Sequence, residues 1–463
     1  MKQLFSSIIF LLLFSSSCKK LVEVDLPVNE LTRAVVFSGD ITANAAQLAI
    51  YSKMSAGFSF YSLSVYPGLS ADELLDYEGS QTRVQLYTNN LIAGNAAVDE
   101  IWSQAYEYIY ASNAVLEGIE NNNNISAEVK KQLKGEAKFS RAFNYFYLVN
   151  LFGDVPLLLS TNYTANASAS RSSTELVYQQ IIEDLKSAQA DLNMDYVAAD
   201  GTSVVLDRLR PTKPAATALL SRVYLFTKDY ENAESMASSV INDSRFALDT
   251  STSLDNVFLK NNSEAIWQVT PGSLLGNTLE GLMFILAGPP SQVALDSSLC
   301  NSFESGDRRR ANWIGAYSDG ATTWYFPNKY KIQYDPSNPR ENVDVLRLAE
   351  QYLIRAEARV FVNNLAGARE DLNAIRNRAG LSDITSSERD ELLTFLLEER
   401  RAELFTEWGH RWLDLKRTGK IDEVMNIAAA QKGSSWQSYQ QLYPIPQSNR
   451  ARNPNLSQNA GFN

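Results

Sequence analysis

The chain has 463 residues, 45% of them hydrophobic and 21% charged, which is typical of a globular protein with one large domain or a few ordinary ones. Its 42 lysines and arginines against 53 aspartates and glutamates give a net charge of −11, which argues against nucleic-acid binding through a general basic surface. One histidine and two cysteines are too few for a His- or Cys-based zinc site, and we expect no metal or other cofactor.

The N-terminus has the three parts of a secretory signal. Lys2 gives a positive start, residues 4–14 are largely apolar, and three serines lead to Cys18. The apolar run is too short to span a membrane. A cysteine directly after small residues resembles the lipobox of bacterial lipoproteins and predicts cleavage before Cys18 and lipidation of its thiol, although Ser15 stands where an aliphatic residue is usual. The alternative is an ordinary signal peptide with an incidental cysteine.

Helical periodicity dominates from residue 42 onward. Single helices or long helical units are predicted over 42–54, 98–120, 126–153, 172–192 and 386–419. Ser126 is the expected N-cap of the third, and Gly153 is expected to end it in a left-handed conformation. Ser172, with Glu175 three residues later, forms the expected capping pattern of the fourth.

Two further segments predict helical hairpins of the same form. Residues 212–243 turn near Lys228, and residues 345–380 turn at Asn363. Each has aliphatic and small residues on its first helix, a polar turn, and alanines on its second. A unit of roughly 34 residues with this pattern resembles a tetratricopeptide repeat, and such units bury their faces only by stacking. We therefore expect one packed helical block assembled from both halves of the chain.

The middle of the chain, roughly 244–340, lacks helical periodicity. Apolar and polar residues alternate over 264–269, and glycines, prolines and aromatic residues become frequent. This composition predicts loops and short strands laid on the helical block. Long loops that carry aromatic side chains are a common location for binding sites.

Several stretches together resemble the SusD/RagB family, the surface lipoproteins of Bacteroidota nutrient-uptake systems. They include "GEAKFSRAFNYFYLVNLFGDVPL", "EERRAELFTEWGHRWLDLKRTG" and the ending "LYPIPQSNRARNPNLSQNAGF". The matching stretches run in the family's order and lie at 135–157, 210–225, 346–358, 372–381, 398–419 and 442–462. With the lipidation signal, they cover nearly the whole chain.

The resemblance implies a mostly α fold with four TPR-like helix–turn–helix units as a scaffold and a loop-rich insertion that carries short strands. It also implies non-catalytic capture of glycan for uptake, with a SusC-type TonB-dependent transporter as partner, on the outer face of the outer membrane. Lys19 and Lys20 depart from the acidic residues that often follow the lipidated cysteine of such surface lipoproteins. The expected organisation is a signal peptide at 1–17, a lipidated tether at 18–35 and one domain at 36–463, divided into 36–243, 244–340 and 341–463.

Two loop regions offer the aromatic and polar side chains that glycan binding requires. Aromatic rings stack on the C–H faces of sugars, while carboxylates, amides and guanidinium groups bond to their hydroxyls. The middle insertion supplies Trp313, Tyr317, Asp319, Trp324, Tyr325 and Asn328. The early loop, 65–83, supplies Tyr66, Asp72, Glu73, Asp76, Tyr77 and Arg83. The alternative is that the tryptophans are buried under the loops.

Other functions remain to be weighed against glycan capture. The same architecture could take up peptide or glycopeptide, or serve as a scaffold without a small ligand. Asp72 and Asp76 could form a glycosidase pair only if their separation suited one, and the region has no hydrolase signature, so we expect no enzyme. A calcium ion bound by these acids is also possible, although the spacing is not that of an EF-hand loop.

The remaining motifs are interpreted as structural. The stripe of Phe139, Phe143, Phe146 and Tyr147 predicts core packing, and His410, between two tryptophans, is assigned to the core as well. Arg141 is expected in a buried ion pair, and 443–446 in an extended clamp because its two prolines exclude a helix. A salt-bridge lattice within one helical region is predicted for Glu399, Arg400, Glu403, Arg411, Asp414 and Arg417.

Overall fold

The computed structural model describes residues 33–56, 59–271 and 276–462, so the predicted signal peptide, Cys18 and most of the tether lie outside the described residues. The fold is mostly α, as predicted. Its first ten helices are α1 (Arg33–Val36), α2 (Asp40–Ala56), α3 (Ser59–Ser70), α4 (Gln81–Tyr87), α5 (Ala96–Ile119), α6 (Ala127–Phe152), α7 (Tyr163–Asn166), α8 (Thr174–Asp191), α9 (Lys213–Phe226) and α10 (Tyr230–Ile241). The later helices are α11 (Leu279–Phe284), α12 (Ser297–Asn301), α13 (Arg308–Trp313), α14 (Leu348–Phe361), α15 (Leu365–Arg378), α16 (Arg389–Leu404), α17 (His410–Arg417), α18 (Ile421–Gln431) and α19 (Gln447–Arg452).

The long helices stack in chain order into one block. Helix α5 packs on α6, α6 on α8, α8 on α9 and α9 on α10. Helix α10 then packs on α14, which carries α15 and α16, so the block is assembled from both halves of the chain as predicted. The two predicted hairpin turns are present, and Lys228 and Asn363 adopt positive φ angles of 61° and 65° there.

The ends of α6 and α8 confirm one predicted N-cap and correct two other predictions. Ser126 is the N-cap of α6, but its side chain makes no capping hydrogen bond. Gly153 ends that helix with φ 73° and ψ −128°, which lies outside the left-handed helical region and is accessible mainly to glycine. Helix α8 is capped by Ser173 instead of Ser172, and the Ser173 hydroxyl accepts a hydrogen bond from the amide of Leu176.

The strands form three small antiparallel pairs. They are β1 (Leu74–Asp76), β2 (Ala265–Val269), β3 (Val293–Leu295), β4 (Ile314–Ser318), β5 (Thr323–Pro327) and β6 (Val343–Arg347). Strand β1 pairs with β3, β2 with β6, and β4 with β5. The insertion thus carries the predicted short strands, together with the three short helices α11, α12 and α13.

Aromatic side chains fill the contact between the block and the insertion. Trp267 of β2 is fully buried, and its ring meets Phe139 and Phe143 of α6 edge-on, at centroid distances of 5.0 and 5.7 Å. Phe146 and Tyr147 are buried as well, at 0% and 3% exposure. The prediction that the α6 stripe belongs to the core is therefore confirmed.

The predicted lattice within the last helical region is only partly correct. Arg400 pairs with Asp414, which also pairs with Arg417. The other members bind distant elements: Glu399 and Glu403 pair with Arg309 of α13, and Arg411 pairs with Asp72 before β1. The helical region is itself interrupted, because Thr406, Trp408 and Gly409 have positive φ angles between α16 and α17.

Three other structural predictions are confirmed. Arg141 forms a buried two-bond ion pair with Asp184, at 2.8 and 2.7 Å. His410 is only 5% exposed within the core. Tyr443 of the C-terminal clamp is fully buried, and its amide donates to the carbonyl of Leu151.

Within the described ranges, no helix is both long enough and apolar enough to cross a membrane. The same residues contain no group of three or more His, Cys, Asp or Glu side chains arranged to hold a metal ion.

Candidate functional site

The hairpin of β4 and β5 presents two aromatic rings side by side. Tyr317 and Trp324 are direct cross-strand partners, so their side chains leave the same face of the hairpin. Their ring centroids are 6.2 Å apart, and the ring planes differ by 26°. Both side chains are partly exposed. We call this pair the aromatic ledge.

The turn beside the ledge is held by Asp319. Its carboxylate accepts hydrogen bonds from the amides of Ala321 and Thr322, at 2.9 and 2.7 Å. These bonds, to Thr322 and then Ala321, lower the pKa of the exposed Asp319 carboxyl. Gly320 has a φ of 93°, which favours glycine at this tight turn. Asp319 therefore places an ionised, exposed carboxylate next to the ledge.

Two further predicted residues of the hairpin region contact the rest of the protein. Tyr325 is the cross-strand partner of Ala316 and lies beneath the guanidinium of Arg310, 5.0 Å from the ring centroid. The amide of Asn328 donates to the carbonyl of Trp313, at 2.8 Å. Tyr325 and Asn328 are both partly buried. These contacts attach the hairpin to α13.

Trp313 does not reach the surface. Its side chain has 0% exposure, and its indole N–H donates to the carbonyl of Leu254. The ammonium of Lys329 and the guanidinium of Arg378 lie over the ring, at 5.2 and 5.4 Å from its centroid. The prediction that Trp313 stacks on a ligand is wrong, because the ring is already covered by the core and by three cations, the third being Arg347 at 5.9 Å.

The acidic residues before β1 are mostly committed to internal contacts. Both carboxylate oxygens of Asp72 accept from Arg411, at 2.7 and 2.8 Å, and Arg401 lies at 2.9 Å. Burial would raise the pKa of Asp72, but these arginines outweigh it and lower the pKa to about 2. Glu73 is 1% exposed, and burial, followed by the charge of Asp72, raises its pKa to about 7. Neither side chain is placed to bind a ligand directly, contrary to prediction.

Two other predicted contacts of the early loop also point inward. The hydroxyl of Tyr66 donates to Glu100, at 3.1 Å, and the ring packs against the core. Arg83 is 8% exposed and pairs with Glu78, at 2.8 Å. Tyr66 lies in α3 and Arg83 in α4, so residues 65–83 are not one continuous loop as predicted. Both side chains stabilise this segment instead of facing a ligand.

Asp76 and Tyr77 are the early-loop candidates nearest to solvent. Asp76 accepts hydrogen bonds from the amides of Glu78 and Gly79, both at 3.2 Å, and it is partly exposed. Tyr77 is 41% exposed, and its amide donates to the carbonyl of Gln292. The end of β1 thus offers a carboxylate and an aromatic ring.

Strand β3 connects the early loop to the hairpin. It pairs with β1, so that Asp76 lies opposite Val293, and it also contacts β5. The two regions that the sequence nominated separately are therefore joined through a strand that it did not single out. Gln292, just before β3, and Arg310, whose guanidinium lies over the Tyr325 ring, are the main residues that sequence reasoning missed. Gln292 meets Tyr77 from a distant part of the chain, and Arg310 meets Tyr325 only because the hairpin folds back, so no local pattern indicates either contact.

The arrangement supplies the chemistry of an open binding surface. Stacked aromatic rings suit the C–H faces of sugars, and Asp319 and Asp76 offer acceptors for hydroxyl groups. The carboxylate pair suggested for hydrolysis is not available, because Asp72 is fixed by two arginines.

Comparison with known proteins shows which family the chain resembles. A family model described as "SusD family" matches residues 301–462, and one described as "Starch-binding associating with outer membrane" matches 44–225. The chain belongs to the SusD/RagB family. It is 26% identical to SusD-like protein P38 of Formosa agariphila, over 90% of this chain and 92% of that protein. It is 25% identical to the starch-binding protein SusD of Bacteroides thetaiotaomicron, over 73% and 74%.

Solved structures of the family have the same fold. A SusD superfamily protein from Bacteroides vulgatus superposes with a TM-score of 0.79 at 20% identity, over 92% of this chain and all of that one. A structure named as a laminarin-binding SusD-like protein gives 0.76 at 25% identity, over 92% and 100%. Two of these relatives are named for what they bind, starch in one case and laminarin in the other.

Proposed function

We propose that this chain binds an oligosaccharide or polysaccharide across the aromatic ledge and delivers it to a SusC-like TonB-dependent transporter. The observation that carries the binding step is the ledge itself, in which Tyr317 and Trp324 are stacked in register and partly exposed. Aromatic side chains that are not needed in a core are expensive to leave in water, and a stacked pair suits the C–H face of a sugar ring.

Neighbouring groups complete the proposed site. Asp319 keeps its ionised carboxylate beside the ledge. Asp76 and Tyr77 lie at the end of β1, which pairs with β3, and β3 contacts β5 of the hairpin. The ligand surface then includes one aromatic pair for stacking and two carboxylates for sugar hydroxyls. Names of relatives that bind starch and laminarin support glycan as the ligand class.

A binding screen tests the proposal. The soluble protein is run through native gels that contain different polysaccharides, and each hit is titrated by calorimetry. Loss of one stacked ring costs about 1–1.5 kcal/mol, so Trp324→Ala and Tyr317→Ala should each weaken binding about fivefold to tenfold or more. Tyr163→Ala is the matched control, because Tyr163 is 81% exposed and lies on α7, outside the hairpin.

The screen also separates the alternatives. Retardation by a glycan that survives Trp324→Ala would place the ligand elsewhere and refute the ledge. Retardation by peptides and by no glycan would support the peptide-uptake alternative. No binding of either class would favour a scaffold without a small ligand.

We further propose that the chain is anchored in the outer membrane by a lipid on Cys18 and faces the cell exterior. In cells fed an alkyne-labelled fatty acid, Cys18→Ala should abolish the label, whereas Cys300→Ala, which changes a buried thiol, should retain it. Digestion of intact cells by an added protease tests the outward orientation. Delivery is tested by uptake of labelled glycan, which should fall when this chain is deleted and its transporter is kept.

A further inference from the structure

Arg400 of α16 is a buried cation with unused hydrogen-bond donors. Only 1% of its side chain is exposed. Its Nε donates to Asp414 at 2.8 Å, but its buried Nη1 and Nη2 have no acceptor among the described residues. A guanidinium group stays protonated in proteins, so it cannot escape the cost of buried, unpaired donors by losing its charge.

The same side chain lines a cavity of about 10 Å³. The cavity lies where α16 and α17 meet the segment before β1, and Arg401, Arg411, Asp414 and Glu73 line it together with Arg400. This volume corresponds to about one water molecule or one monatomic ion.

The local charges leave the cavity positive. Asp72 is shared between Arg401 and Arg411, and Asp414 is shared between Arg400 and Arg417. Arg417 lies outside the lining and has Glu357 as a second partner, so three arginines of the lining meet two ionised carboxylates. The remaining acid, Glu73, has its pKa raised to about 7 by burial and by Asp72, so it supplies only part of a negative charge near neutral pH.

We propose that this cavity binds one small monovalent anion of the chloride class through Nη1 and Nη2 of Arg400. The ion would satisfy the unpaired donors and offset the excess positive charge. It would also link α16 and α17 to the segment before β1. Strand β1 pairs with β3, which contacts β5 of the hairpin that carries the aromatic ledge. A water molecule would satisfy the donors but would leave the charge uncompensated.

Bromide, which scatters X-rays anomalously, is the first probe. Crystals of the whole protein grown or soaked in sodium bromide should show an anomalous peak at hydrogen-bonding distance from Nη1 and Nη2 of Arg400. An ordered water there, without anomalous signal, would overturn the proposal.

Thermal unfolding provides the solution test. At equal ionic strength, sodium chloride should raise the Tm above that in sodium gluconate by about a degree or more, because an ion that binds only the folded state stabilises it. Arg400→Lys should abolish the difference, since it removes the forked donors. Arg389→Lys, an exposed change on the same helix, should keep it.

A second variant covers the case in which Arg400→Lys does not fold. Glu73→Gln has nearly the same shape and removes the acid that competes with the anion. Its Tm should respond at severalfold lower chloride concentration than that of the wild type. An equal Tm in chloride and gluconate for both wild type and Glu73→Gln would refute the site.

Discussion

Replacement of Glu403 by glutamine tests the ion network that joins the insertion to the C-terminal helices. Glu403 is fully buried in α16. Its carboxylate accepts from Arg347 at 2.5 Å, from Arg309 at 3.1 Å and from Arg378. The change keeps the shape of the side chain but removes the charge and replaces one of the two acceptor oxygens by an NH2 group, which then faces at least one guanidinium donor.

The expected cost is large. Removal of one partner from a buried ion pair costs about 3–5 kcal/mol, because the other charge remains buried and unpaired. Neighbouring acids, Glu264 and Glu407, still pair with Arg347, so we expect the lower part of this range, about 3 kcal/mol. A typical domain is stable by only about 5–15 kcal/mol, so the loss is a substantial fraction of the total.

Equilibrium unfolding in guanidinium chloride, followed by tryptophan fluorescence, measures this loss. Glu398→Gln is the matched control, since Glu398 is exposed on the same helix, and it should stay within about 0.5 kcal/mol of the wild type. An unfolding free energy for Glu403→Gln within the same 0.5 kcal/mol would refute the idea that the network depends on this carboxylate.

The pH dependence gives an independent check. Burial would raise the pKa of Glu403, but Arg378, Arg347 and Arg309 outweigh it and hold the pKa well below its usual range. A carboxylate whose pKa is lower in the folded state than in the unfolded state stabilises the fold at pH values above the unfolded-state pKa. This stabilisation is lost as the pH falls through the folded-state pKa. The difference between wild type and Glu403→Gln should therefore be full at neutral pH and shrink in acid.

Three further predictions follow from other positions. Burial raises the pKa of Glu280 to about 7, so stability should fall as the pH rises from about 4.5 to 7, and Glu280→Gln should flatten this part of a Tm–pH curve. Gly153→Ala should cost about 1–3 kcal/mol in chemical unfolding, because φ 73° and ψ −128° strain any other residue. Trp313→Ala should cost about 3–5 kcal/mol in the same assay, while the folded fraction keeps its glycan affinity in calorimetry.

Each of these predictions has its own control. Glu398→Gln should leave the Tm–pH curve unchanged, and an unchanged curve for Glu280→Gln as well would contradict the assignment. Gly288 has open space around it and no positive φ, so Gly288→Ala should be nearly neutral, and an equally neutral Gly153→Ala would remove the strain argument. Weaker glycan binding by correctly folded Trp313→Ala would show that its ring contributes to the ligand surface after all.

Local patterns in the sequence were sufficient for the helical scaffold. The turns at Lys228 and Asn363 were predicted because polar residues interrupt two amphipathic runs at the same relative position. The cap of α8 was misplaced by one residue because Ser172 and Ser173 both offer a hydroxyl before the helix, and only the backbone conformation selects between them. The break between α16 and α17 contains no proline, so the sequence predicted one continuous helical unit there.

The two tryptophans of the hairpin region illustrate where local reasoning fails. Trp313 and Trp324 occur in similar aromatic, glycine-containing surroundings, and the sequence ranked them alike. The structure buries the first at the end of α13 under Lys329 and leaves the second partly exposed beside Tyr317. Their difference depends on which elements cover each ring, and those elements come from distant parts of the chain.

The sequence by itself determined the fold class, the order of the helical units and the family, because periodicity and motif order are properties of neighbouring residues. Lipidation of Cys18 and the two regions of the candidate surface stay predictions. Only the tertiary structure decided which side chains in those regions face solvent and which are neutralised inside. Asp72 was predicted as a ligand contact, but both of its carboxylate oxygens accept hydrogen bonds from Arg411, 339 residues away. Burial and charge pairing are set by contacts across the whole fold, and a single sequence does not specify such partners.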